Sequence, residues 1–246
     1  MMRSPARILV ASRLANVVEA RLRQLAAPDT ITIAADEQKL RAAVAETLRF
    51  DVVLTDLTWN DAELEFRFDG FDVLDLLHDL GRAAPVVFAV HGSTTERDHV
   101  DEAMDRAVVS GIVRKARGLE EILADLRLVA AGRTLPPGTV RSRAPICRYL
   151  ADGSRGRTAA AMAGAIAARR ASDHESLAAA AHCSRHTATK LVDRYLGPLI
   201  RARGDHPERL PLTAPVVYRW CGEHALYLTS WCRRNGLRHV LGPEAG

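Results

Sequence analysis

The chain has 246 residues, 48% of them hydrophobic, which is enough for two modest cores and excludes a disordered polypeptide. It lacks a run of 18 apolar residues, Arg3, Arg7 and Arg13 break up any secretory signal, and Cys147, Cys183, Cys221 and Cys232 are too few and scattered for a disulfide scaffold. The net charge of +4 divides unevenly: residues 1–140 hold 17 Lys plus Arg against 22 Asp plus Glu, a net of −5, whereas residues 141–246 hold 17 against 8, a net of +9. A cytoplasmic protein without membrane partners is expected, its basic half facing a polyanion.

From residue 7 to 131 apolar runs alternate with helical periodicities. Strands are expected at 7–11, 30–34, 51–55, 86–90 and 111–113, and helices at 16–25, 36–48, 71–78, 95–107 and 119–131. The β-branched runs DVVLT and VVFAV suit buried parallel strands, and five βα units make a doubly wound sheet. The active or switching crevice of such a sheet lies at the carboxyl ends of its strands, where Ser12, Asp56, His91 and Lys115 are expected to gather.

The phrases DVVLTDL, DGFDVLDLL, APVVFAV, GIVRKA and LRLVAAGRTLPP resemble the receiver domain of two-component response regulators, over about the first 135 residues. The resemblance implies a flavodoxin-like α/β fold, with Asp56 at the phospho-acceptor position and Lys115 where a lysine meets the phosphoryl group. VAAGRTLPP further resembles the exit of receivers that feed a helix-turn-helix output of the LuxR type. Three departures stand out. Ser12 and Arg13 occupy the places of the acidic pair that holds a divalent cation, Val90 followed by His91 replaces the usual hydroxyl residue, and the loop TWNDAELEFRFDG is long and lacks Met-Pro. These imply an atypical receiver without ordinary Mg²⁺-dependent phosphorylation, in which Asp56 pairs with Lys115. That pair either closes the top of the sheet or belongs to a pocket sensing a small molecule or a partner protein. Asp61, Glu63, Glu65 and Asp69 are either substitute ligands or a solvated loop.

Domains are expected at 1–133 and 157–246, joined by a Pro-, Gly- and Arg-rich linker over 134–156 that carries a short helix at 146–150. Residues 158–170 form an alanine-rich supporting helix with Ala159, Met162 and Ile166 on its apolar face. Residues 172–200 then read as a helix-turn-helix, giving an all-α second domain. Ser172 and Glu175 form a capping box ahead of Leu177, Ala178 and Ala181. Ser184 caps a second helix that turns Ala188, Leu191, Val192 and Leu196 inward and Arg185, His186, Thr187, Lys190 and Arg194 outward, toward phosphates and base edges of double-stranded DNA. Arg201, Arg203 and Arg209 follow on a proline-broken loop, as phosphate contacts or plain surface charges.

A long helix over 216–234 places Val217, Trp220, Cys221, His224, Leu228 and Trp231 on one face with Tyr227 at its edge, as core or as a dimer seam. Neither Cys221, His224 and Cys232 nor His182, Cys183 and His186 supplies four zinc ligands at known spacing. There is no phosphate-cradling glycine loop and no catalytic acid pair, so neither a cofactor nor catalysis is expected. The composite expectation is a homodimeric, DNA-binding transcriptional regulator, with an RNA-binding antiterminator-type regulator and a protein-interaction adaptor as alternatives.

Overall fold

Five runs rich in β-branched residues pair into one parallel sheet in this structure, a computed structural model that describes residues 5–27, 29–59, 67–136 and 144–242. The strands are β1 (Arg7–Ala11), β2 (Thr30–Ala34), β3 (Val52–Asp56), β4 (Val86–Val90) and β5 (Val109–Arg114). Between and after them run α1 (Ala15–Ala26), α2 (Glu37–Glu46), α3 (Gly70–Asp79), α4 (Arg97–Met104) and α5 (Leu119–Ala130). The spatial order β2-β1-β3-β4-β5 is the flavodoxin-like doubly wound order expected from the sequence.

Alternation along the strands sends Ile8, Val10, Val52, Leu54, Val87 and Ala89 to one face, against Leu22 and Ala26 of α1 and Leu126 and Val129 of α5. Leu9, Val53, Val86, Phe88 and Val90 face the other way, onto Leu40 and Val44 of α2, Phe71 and Leu77 of α3, and Ala103 of α4. Two layers of helix thus bury both faces of the sheet. The expected helix 95–107 is shorter: a 3-10 turn at Thr94–Glu96 leads into α4, which ends at Met104. Leu135, expected in the linker, instead packs on β5. Its N–H donates to Ser110 O at 2.8 Å, and its Cβ lies 2.6 Å from where a side chain on Gly111 would begin.

The chain divides into two compact units, 1–140 and 141–246. The second contains α6 (Ile146–Leu150), α7 (Gly153–Ala167), α8 (His174–Ala180), α9 (Arg185–Thr189), a π-helical turn (Leu191–Tyr195), α10 (Leu196–Ala202), α11 (Ala214–Glu223), α12 (Ala225–Arg234) and a 3-10 turn (Arg238–Val240). Ile146 and Leu150 of α6 are buried in its core, so the part of the expected linker from residue 146 onward is structural. A Cβ on Gly156 would stand 2.5 Å from Tyr149 O, which shows how closely α7 starts against α6. From Ala159 to Ala167 every residue of α7 is buried and, apart from Met162 and Ile166, small. A Cβ on Gly164 would meet Cys232 Sγ of α12 at 2.5 Å, so these two helices pack almost backbone to side chain.

The expected single helix 216–234 is two helices, broken at His224, which leaves helical geometry at φ −104°, ψ 16°. Gly222, a poor helix former, sits just before the break. The bend carries Tyr227 from the edge of the stripe into the core, beside Trp220, Leu228 and Trp231.

Candidate functional site

Asp56 ends β3 beneath the carboxyl edge of the sheet, where its side chain is 2% exposed. Its Oδ2 accepts from Ser12 Oγ at 2.8 Å and lies 2.9 Å from Lys115 Nζ, which also meets His91 Nε2 at 3.2 Å. Oδ1 is buried and accepts no hydrogen bond among the described residues. Burial pushes the Asp56 carboxyl above the usual carboxylate range, a rise that Lys115, Ser12 and His91 oppose. Four of the residues expected at the crevice therefore come together. Arg13 and Val90 do not join them: Arg13 is exposed and its charge acts on Asp36, while Val90 is buried in the core facing α2, α3 and α4.

Asp69 is no substitute ligand. It is buried and caps α3, accepting from Phe71 N–H at 2.8 Å while its own N–H donates to Asp72 Oδ2 at 2.7 Å. Asp61, Glu63 and Glu65 lie outside the described residues. The α3 start is pressed against β3, since a Cβ on Gly70 would sit 2.7 Å from Asp56 O.

A second carboxylate, which the sequence reading overlooked, organises the neighbouring loop. Glu96 is buried, and its oxygens accept from the backbone N–H groups of His91 (3.1 Å), Gly92 (2.8 Å) and Ser93 (3.1 Å) and from Thr58 Oγ1 (3.1 Å). Burial raises its pKa, but the three amides and the Thr58 hydroxyl outweigh that and hold it below the ordinary glutamate range. The available signal was Ser93-Thr94-Thr95-Glu96, a capping-box spacing.

In the second unit the first helix of the expected helix-turn-helix is capped one residue later than expected. Asp173 Oδ1 accepts from Glu175 and Ser176 N–H, and Ser176 completes the box, in place of Ser172 with Glu175. Leu177 and Ala181 are buried. Helix α8 ends in a Schellman motif, with Cys183 N–H donating to Ala178 O and His182 N–H to Ala179 O. Ser184 then caps α9, its Oγ accepting from Thr187 N–H at 3.0 Å.

Ala188, Leu191 and Leu196 are buried beneath this stretch, and Arg185, His186 and Arg194 are exposed. Thr187 is half-buried with its hydroxyl 2.9 Å from Ser184 Oγ, and Lys190 is half-buried at the end of α9. Thr189 is exposed on the same short helix and was not foreseen. The α-helical spacing assumed from the sequence stops at Lys190. Pro198 lacks an N–H and its ring crowds the carbonyl four residues back, at Arg194, so the ladder widens into the π turn. Gly197 is required there, because a Cβ would fall 1.8 Å from Val192 O.

Arg203 is not a phosphate contact. Its fully buried side chain pairs with Asp205 at 2.8 Å and donates to Ala144 O at 2.6 Å, while Trp220 Nε1 donates to the same Asp205 oxygen at 3.0 Å. Arg201 and Arg209 are exposed. Among the described residues no three His, Cys, Asp or Glu side chains cluster as metal ligands, and no helix is long and apolar enough to cross a membrane.

No protein-family model matches the sequence, and no curated protein matches it. Among solved structures, the two-component response regulator RcsB in its DNA complex is similar over 89% of this chain and 99% of that one, at 12% identity and a TM-score of 0.49. The receiver domain of the Francisella response regulator 1452 is similar over 52% of this chain and 98% of its own, at 16% identity and a TM-score of 0.40. An adenylate cyclase from Rhodopirellula baltica is similar over 52% and 88%, at 14% identity and a TM-score of 0.44. The fold itself rests on the strand order and helix layers: a doubly wound α/β unit followed by an all-α unit that contains a helix-turn-helix.

Proposed function

We propose that this chain is a non-enzymatic, DNA-binding transcriptional regulator of the response-regulator type, whose first unit works without ordinary Mg²⁺-dependent aspartyl phosphorylation. One observation carries the DNA reading. The Ser184-capped α9 is seated by Ala188 and Leu191 while Arg185, His186, Thr189 and, within the π turn, Arg194 stay exposed, in a half of net charge +9. A short capped helix presenting long donors next to a close-packed partner is the arrangement that enters a major groove.

The residues around Asp56 do not fit Mg²⁺. That ion requires near-octahedral oxygen ligands. Among the described residues the crevice offers one carboxylate, whose Oδ2 is already held by Lys115 and Ser12. Phosphoryl transfer also needs a cation to neutralise the incoming charge. A small molecule or partner protein that engages Asp56, Lys115 and His91 is the signal this pocket suits, and a homodimer on two half-sites is the expected binding form.

The test is selection of fragments bound by the full chain from random and genomic DNA. A recovered motif should bind far more tightly than random duplex and lose affinity steeply with salt. Equal affinity for both sinks the sequence-specific reading, and preference for structured RNA favours the antiterminator alternative. Acetyl phosphate with Mg²⁺ should leave the intact mass unchanged. A gain of one phosphoryl group that disappears in Asp56→Ala refutes the atypical receiver.

A further inference from the structure

Two histidines far apart in sequence meet beside the turn of the helix-turn-helix. His182, in that turn, and His239, in the 3-10 turn after α12, stack with ring centroids 4.9 Å apart and planes tilted by 33°. Both are exposed. The charged groups that act on His239 are His182 from the turn and Arg157 from α7, itself exposed; Arg238 stands next to it on its own turn. These are all bases. Burial first, and then the charges of His182 and Arg157, hold the His239 imidazole below its ordinary range.

The turn keeps His182 at a conformational cost. It occupies the left-handed position of the Schellman motif at φ +49°. At the matching position after α3, α5, α10 and α12 the chain uses Gly81, Gly132, Gly204 and Gly236, and after α7 it keeps Arg169 at φ +57°.

We propose that His182 and His239, with Arg157 beside them, form a proton-linked contact for a DNA backbone phosphate flanking the bases met by α9. The proposal rests on the DNA-binding reading above. A helix-turn-helix lays its first helix and turn across the sugar-phosphate backbone while the second helix enters the groove, and His182 stands two residues before the cap of α9. In free protein burial, and then the charges of His182 and Arg157, disfavour the protonated His239 imidazole. A phosphate oxygen against the pair reverses that preference, so binding takes up a proton. The bound pKa then exceeds the free one, and affinity is greatest at low pH and falls as pH rises through the window between them.

The experiment measures affinity of the full chain for a selected duplex between pH 5.5 and 8.0 at fixed ionic strength. Wild type should weaken by roughly 3- to 10-fold from pH 6 to pH 8, one pKa unit corresponding to tenfold. His239→Gln and His182→Asn, the latter chosen because Asn tolerates a positive φ, should each flatten that dependence to less than about twofold and lower the salt slope by about one phosphate. His78→Asn, at the end of α3 in the first unit, should keep it. DNA binding that is indifferent to pH in wild type, or a slope that survives in both variants, overturns the phosphate contact alone. Absence of DNA binding at every pH overturns the DNA reading with it.

Discussion

Lys115→Met tests whether the Asp56 pair sets the stability of the first unit. Asp56 is 2% exposed and Lys115 19% exposed, at 2.9 Å. Removing the ammonium leaves a buried carboxylate with Ser12 and an imidazole near it. Breaking a fully buried pair costs about 3–5 kcal/mol; because Lys115 is partly solvated, about 2–3 kcal/mol is expected at pH 7. Asp56→Asn keeps the Ser12 hydrogen bond and removes the buried charge, so it should shift stability by less than about 1 kcal/mol, and the double variant should recover most of the Lys115→Met loss. The pH dependence has a definite sign. The folded pKa of Asp56 is raised above its unfolded value of 3.8, so its contribution is fully present below 3.8 and declines as pH climbs through the folded pKa. Without Lys115 the folded pKa rises further, and the penalty of the single variant should shrink as pH falls from 7 toward 4. Urea denaturation of the full chain, with hydrogen exchange read on peptides spanning β1 and β3, isolates this unit. A loss under about 0.5 kcal/mol, or one that grows on acidification, refutes the ion pair as the organising interaction.

Glu96→Gln should destabilise the first unit by about 1–2 kcal/mol, since one amide oxygen cannot replace a carboxylate accepting from three backbone amides; because the Glu96 pKa is lowered, wild type should lose this contribution as pH drops below about 4.5, which acid titration by circular dichroism reads out. Gly197→Ala, whose Cβ would collide with Val192 O, should cost the second unit about 3 kcal/mol and lower its Tm by about 12 °C or more in calorimetry. Arg203→Met should cost about 3 kcal/mol or more by leaving Asp205 buried, with little direct effect on DNA affinity per folded molecule, whereas Arg185→Ala should leave Tm within about 1 °C and reduce discrimination between selected and random duplex about 5-fold or more in competition gel shifts. An Arg203→Met protein that keeps its Tm but loses DNA would reverse the assignment of that residue.

The contrast between these arginines marks where sequence reading reaches and where it stops. Both helical layers and the meeting of Ser12, Asp56, His91 and Lys115 follow from alternation and from the rule that crevice residues end parallel strands, whereas the strand order was implied only by the receiver resemblance. Local caps were legible to within a residue, as with Ser184, or displaced by one, as with Asp173 for Ser172. Long-range pairings were not. Nothing near Arg203 distinguishes it from Arg201 or Arg209 until Trp220 and Asp205 close around it, and no periodicity places His239 against His182. The π turn lay between these cases, since Gly197-Pro198 announced a disturbed ladder without giving its extent. Helical phase is the quantity that this turn alters, because each widened repeat rotates later side chains away from the face set by earlier ones. Of the outward set read from spacing, Arg185, His186 and Arg194 are exposed and Thr187 and Lys190 are half-buried, and the α-helical spacing behind the set ends at Lys190. A groove contact by Arg194 would depend on the helical phase within the π turn, whereas contacts by Arg185 and His186 would start from the Ser184-capped end of α9.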